Sequence, residues 1–188
     1  MRRSFLQRHS LVLVVYGMIL VLIFIGAMNS ERFLSLRNLT NVLRQAAYLG
    51  TAALGEMLVI LTAGIDLSIG SLVKLSVLVS AILMDGNPDN VWMAVILTLG
   101  LGLLVGLIHA FLINEFNLSP FVVTFASLFI LQGISLTITT KPIGRASRDF
   151  LMLYSQKFLG VPIIVYYFIF ITLLILSLIH ISEPTRLR

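Results

Sequence analysis

The segment from Ile60 to Ser71 places Asp66, Ser68 and Ser71, with Gly64 and Gly70, between two long apolar runs. A carboxylate inside a bilayer costs roughly 3 kcal/mol on insertion scales, so its presence needs a physical reason. Two are open. Asp66 can be a pathway or gate carboxylate that accepts hydrogen bonds from a polar solute. Alternatively, Asp66 or Ser68 can cap the following helix by accepting the orphan N–H groups of its first turn. Gly64 and Gly70 would then make a tight junction. Both readings predict a helix break near 64–71 rather than one smooth span. Irregular backbone at membrane depth persists only where protein covers it or where it lines a water-filled cavity.

Other polar groups lie within apolar segments. Glu56 shares a helix face with Ala52, Ala53 and Ile60. It fits a transport role, a bundle-facing hydrogen bond or a place near the interface; Lys74 and Arg44 are the nearest bases, and a Glu56–Lys74 pair is one arrangement. Thr124, Ser127 and Gln132 punctuate a later apolar run. They fit weak polar contacts along a pathway, or hydroxyls bonding back to the preceding turn. Gly102 and Gly106, continued by Ala110, have the small-residue spacing of close helix packing. His109, beside them, reads as a satisfied bundle residue.

The elements that must position these residues follow from composition. The 188 residues are 59% hydrophobic and only 11% charged, where a soluble domain carries about 25% charge. The expected fold is all-α, a polytopic transmembrane bundle with about six membrane segments: 11–28, 48–63, 67–84, 91–113, 121–140 and one beginning at 161. An interfacial helix is expected within 29–47, where Leu36, Leu39, Val42 and Leu43 recur at helical spacing, capped by Asn38 or Thr40. Residues 85–90 form a turn cluster, and Pro120 suits the first position of a helix. Residues 141–160 read as a polar loop carrying Lys141, Arg145, Arg148 and Lys157, facing headgroups or docking a partner.

Arg2, Arg3 and Arg8 before the first apolar run predict a retained first helix with a cytoplasmic N-terminus. That places the basic loop at 141–157 outside, against the usual bias of positive charge to the inside. Residues 176–186 read Leu-Ser-Leu-Ile-His-Ile-Ser-Glu-Pro-Thr-Arg, which matches, codon for codon, the translation of a transposon-end adaptor used in sequencing libraries. The expectation is therefore one transmembrane domain over 1–175 and a non-native tail over 176–188.

Several function classes drop out. There is no cysteine, and His9, His109 and His180 are scattered, so neither a disulfide framework nor a metal centre is expected. No Gly-rich loop is followed by Lys-Ser/Thr, so phosphates have no cradle. No nucleophile–base constellation stands out, so no enzyme is expected. The net charge of +5 sits in short flanking segments, which suits lipid headgroups rather than nucleic acid.

The stretch 58–71, Leu-Val-Ile-Leu-Thr-Ala-Gly-Ile-Asp-Leu-Ser-Ile-Gly-Ser, resembles a signature of the permease subunits of monosaccharide ABC importers, of the ribose, xylose and arabinose type. Ser119-Pro-Phe-Val-Val-Thr124 followed by Gln132-Gly133 resembles a second block, with Gln132 where the family usually has Arg. Asn38-Leu-Thr-Asn-Val-Leu43 resembles the lead-in to the second span. The resemblance runs from about residue 38 to 175. It implies a multi-pass protein of the bacterial inner membrane with an inside N-terminus, in which the junction around Asp66 lies near the sugar path. The implied partners are a second permease subunit, two ATP-binding subunits that use the ATP, and a periplasmic or lipid-anchored sugar-binding protein; no cofactor is expected in this chain. The region that couples such permeases to the ATPase would follow the last segment seen here. Related substrates of the superfamily are branched-chain amino acids, nucleosides and an autoinducer sugar. A proton-coupled secondary transporter using Glu56 and Asp66 would more often show two interrupted helices, and one is visible.

Overall fold

The computed structural model describes residues 5–182, so Arg2, Arg3 and the last six residues of the expected tail lie outside the described residues. The described residues form seven α-helices: α1 (Phe5–Asn29), α2 (Leu36–Leu61), α3 (Ile69–Met84), α4 (Val91–Glu115), α5 (Pro120–Ile138), α6 (Arg148–Ser155) and α7 (Ile163–Ser182). A 3-10 turn, Pro88–Asn90, precedes α4, and two short antiparallel strands, β1 (Lys157–Phe158) and β2 (Val161–Pro162), precede α7. The all-α, multi-pass expectation is met. The segment count is lower than expected: among the described residues four helices are long and apolar enough to cross a membrane, within α1, α4, α5 and α7. α3 is apolar but only 16 residues long, about 24 Å of helix against a hydrocarbon core of about 30 Å.

The chain forms two compact units that divide within α2, after Gln45. In the first, α1 ends in a turn where Ser30 N–H donates to Gly26 C=O (3.1 Å) and Phe33 N–H to Ser30 C=O (3.0 Å). The Phe33 ring lies over Gly26, where a Cβ would come within 2.5 Å of it. α2 starts at Leu36, and the cap is Ser35, whose Oγ accepts Asn38 N–H (3.3 Å). Asn38 and Thr40 do not cap it: Asn38 Nδ2 donates to Phe33 C=O (2.7 Å) and Thr40 Oγ1 to Leu36 C=O (2.6 Å). The interfacial helix and the second segment are one continuous helix, because no proline interrupts residues 36–61.

In the second unit α3 packs against both α4 and α5. Leu75, Val105 and Leu131 form the buried centre, flanked by Leu72, Val79 and Leu101. The other faces carry exposed Leu97, Leu103, Leu107, Phe111, Phe125 and Phe129, an apolar exterior that suits lipid contact. At the far end of α3 the chain after α5 folds back onto it. Arg145 N–H donates to Ala81 C=O (3.1 Å), and Gly86 N–H to Arg145 C=O (2.9 Å). Gly144, at φ +69°, lies so close that a Cβ would meet the Ala81 backbone at 2.5 Å. The expected loop at 141–160 contains α6, capped by buried Ser147, whose Oγ accepts Phe150 N–H (3.2 Å).

Candidate functional site: the break between α2 and α3

α2 ends in a pair of hydrogen bonds that reverse the chain. Ala63 N–H donates to Ile60 C=O (2.9 Å) and Gly64 N–H to Val59 C=O (3.0 Å), the paired bonds of a Schellman cap. The left-handed residue at its turn is Ala63, at φ +59°. Gly64 follows it and is needed for space: it is buried, and a Cβ there would meet Val59 Cγ1 at 3.0 Å and Val59 O at 3.3 Å. Gly70 lies inside α3 with open space around it, so it does not make the junction.

Five residues without regular secondary structure, 64–68, then lead into α3, the last of them, Ser68, already in the helical region. Asp66 Oδ1 accepts both the N–H (2.8 Å) and the Oγ–H (2.7 Å) of Ser68. Ser68 occupies the position before α3, yet neither its side chain nor that of Asp66 bonds to a first-turn N–H. The capping expectation is therefore corrected: the carboxylate folds the approach to the helix by bonding two residues ahead, the local pattern that Asp favours outside helices. Ser68 is fully buried, and Ser71 Oγ donates to its carbonyl (2.7 Å).

Two helices hold this segment from outside. Glu56 Oε1, on α2, accepts Asp66 N–H (3.2 Å); this contact stands where a Glu56–Lys74 pair was one expectation, and Lys74 is exposed. Glu56 Oε2 is buried without a hydrogen-bond partner among the described residues. Thr124, on α5 and 3% exposed, places its hydroxyl 2.9 Å from Ile65 C=O, 2.9 Å from Pro120 C=O and 3.4 Å from Phe121 C=O. One hydroxyl has one proton to donate. Pro120 C=O already receives the helical N–H four residues on, which leaves Ile65 C=O as the acceptor in need.

Ser127 stands apart from the break. Its Oγ is 2.7 Å from Nε2 of His109, and the pair ties α5 to α4; buried His109 is thus a satisfied bundle residue. Gln132 is exposed on α5. Gly102 and Gly106 have nothing within 4 Å of where a Cβ would be, so their expected packing role is not met among the described residues; α4 meets the core through Leu101 and Val105 instead. The structure therefore gathers Glu56, Gly64, Asp66, Ser68, Ser71 and Thr124, and leaves Ser127, Gln132, Gly70, Gly102 and Gly106 elsewhere. Sequence reasoning missed Ala63 and Ile65, since neither type carries a turn or polar signal. No group of His, Asp and Glu suited to a metal occurs among the described residues.

A multi-pass helical bundle with one interrupted helix, fastened by polar groups from two neighbours, has the form of a membrane transport subunit. The chain belongs to the family described as branched-chain amino acid transport system / permease component, which matches residues 38–183. Among curated proteins it is 33% identical to the D-allose transport system permease protein AlsC of Escherichia coli K12, over 90% of this chain and 51% of that one. It is 32% identical to the ribose import permease protein RbsC of the same organism, over 77% of this chain and 45% of that one. It is 33% identical to RbsC of Bacillus subtilis 168, over 78% and 46%. The chain thus spans about half the length of the curated relatives it matches. No solved structure matches it.

Proposed function

We propose that this chain is part of the permease subunit of an ATP-binding-cassette importer that carries a monosaccharide across the bacterial inner membrane. The observation that carries the reading is the similarity to D-allose and ribose permeases over most of the chain's length, together with the fastened break at 62–68. In this reading the break borders the sugar path. Asp66, Ser68 and Ser71 spend hydrogen bonds on one another and shape the junction. Glu56, with its unmatched Oε2, is the acceptor for a sugar hydroxyl when the junction opens.

The protein is a conduit and not an enzyme. ATP is used by partner ATPase subunits, and a secreted or lipid-anchored binding protein delivers the sugar to a pair of permease subunits. A branched-chain amino acid is the alternative cargo, favoured by the family's own description. The test is reconstitution of the complete permease with its ATPase and binding protein in vesicles. Sugar-stimulated ATP hydrolysis with uptake supports the proposal. Uptake that persists without ATP and follows a proton gradient overturns it.

A further inference from the structure

The turn between α1 and α2 carries a polar pocket of about 450 Å³ whose lining includes Ser30, Arg32, Arg37 and Asn41. Both arginines are exposed, and neither guanidinium has a hydrogen-bond or ion-pair partner among the described residues. Asn41 is oriented by its own contact, Oδ1 accepting from Arg44 Nη1 (3.3 Å), which leaves its NH₂ as a donor. The two guanidinium groups and the Asn41 amide therefore present donors to the pocket, beside the amide oxygen of Asn38 and the hydroxyls of Ser30 and Ser35.

Its depth is fixed by the helix before it. The apolar window of α1 runs over Val12–Asn29, about 27 Å of helix, close to the ~30 Å of a hydrocarbon core. The residues that follow emerge where lipid phosphates lie. Arg37 also sits in the first turn of α2, which holds no acidic residue. A cation at that end of a helix is unfavourable unless an anion offsets it. Guanidinium groups suit phosphate because they bind it through paired N–H groups.

We propose that Arg32 and Arg37, with Asn41, form a binding site for the phosphodiester of an anionic phospholipid at the α1–α2 turn. The probe is phosphatidylglycerol. The whole chain is incorporated into nanodiscs of phosphatidylcholine with a minor share of phosphatidylglycerol, and the lipid retained on gentle extraction is counted by native mass spectrometry. Wild type retains phosphatidylglycerol over phosphatidylcholine by about thirtyfold, from two basic groups near the surface at about 1 kcal/mol each. Arg32→Gln with Arg37→Gln removes that preference, while Arg148→Gln on α6 does not. Arg32→Lys with Arg37→Lys keeps the charge and loses the fork, giving an intermediate retention. Both double variants keep the wild-type helicity, since the side chains are exposed. Equal retention of the two lipids by wild type overturns the proposal, as does a preference unchanged in Arg32→Gln/Arg37→Gln. Displacement of the retained lipid by millimolar inorganic phosphate also overturns it, by assigning the pocket to the free anion.

Discussion

Replacing Thr124 by Val isolates the bond that ties the break to α5. Valine has nearly the same shape, so no cavity opens at a position only 3% exposed. What is lost is the donor 2.9 Å from Ile65 C=O. A neutral hydrogen bond nets about 1 kcal/mol, and a carbonyl left without a donor costs about 1–3 kcal/mol. At about 1.4 kcal/mol per factor of ten, the opening equilibrium of the break should rise about tenfold. The assay is amide hydrogen exchange on the chain in nanodiscs, resolved by peptide. Exchange at 64–68 should quicken about tenfold in Thr124→Val, while peptides from the middle of α3 and α4, built around Leu75 and Val105, stay as in wild type. Thr124→Ser keeps the hydroxyl and loses one methyl, so it should leave the break near wild type despite a packing loss of about 1 kcal/mol on α5. Equal protection of 64–68 in wild type and Thr124→Val would refute the assignment of the hydroxyl to Ile65. Equal loss in Thr124→Ser and Thr124→Val would refute the hydrogen bond as the cause.

Three further substitutions test the surrounding geometry. Ala63→Gly should stabilise the α2 cap by about 1 kcal/mol, because the residue sits at φ +59°, where a Cβ is disfavoured; a thermal melt in detergent reads it as a higher midpoint. Gly144→Ala should destabilise by about 2 kcal/mol or more, since the new Cβ meets the Ala81 backbone at 2.5 Å with φ at +69° and backbone cannot swing aside; the same melt shows a lower midpoint. Gly106→Leu should leave this chain's melt unchanged, because open space surrounds that position; a lowered midpoint would show that α4 packs there after all.

The break was legible because its residues conflict with their surroundings: Asp66 and two serines have no use in a plain apolar span. Its boundaries were less so. Gly64 and Gly70 both look like turn residues, yet the left-handed position fell to Ala63 and Gly70 joined α3. Glycine marks where a side chain is unwelcome and does not say whether φ or space is the reason; at Gly64 it is space. The continuity of α2 was obscured by Arg37, Asn38, Asn41 and Arg44, whose polarity suggested a separate interfacial helix, although no residue there terminates one. The Gly102–Gly106 spacing describes a smooth helix surface, but nothing local says which neighbour lies on it. α6 carries a local signal in the sequence, Ser147 followed by Asp149 in the first turn.

The arrangement around Asp66 also bears on how such a junction could move. α3 is about 24 Å long, so the residues before it must supply the remaining depth if its other end reaches the surface. The far end is held by two backbone bonds with Arg145, its N–H to Ala81 C=O and its C=O from Gly86 N–H, and by the close approach of Gly144 to Ala81. The near end is held by one bond from Thr124 and one to Glu56. The first nets about 1 kcal/mol and the second, to a carboxylate, about 1.5–3 kcal/mol, together less than the apolar contacts of Leu75, Val105 and Leu131 along the helix. The two near-end bonds can thus open while the packing between α3, α4 and α5 persists. Asp66 stays bonded to Ser68 through such a change, because both atoms lie in the same short turn. The carboxylate then moves with the junction as part of its frame, and Glu56, on the far side of the broken bond, is left with both oxygens to offer.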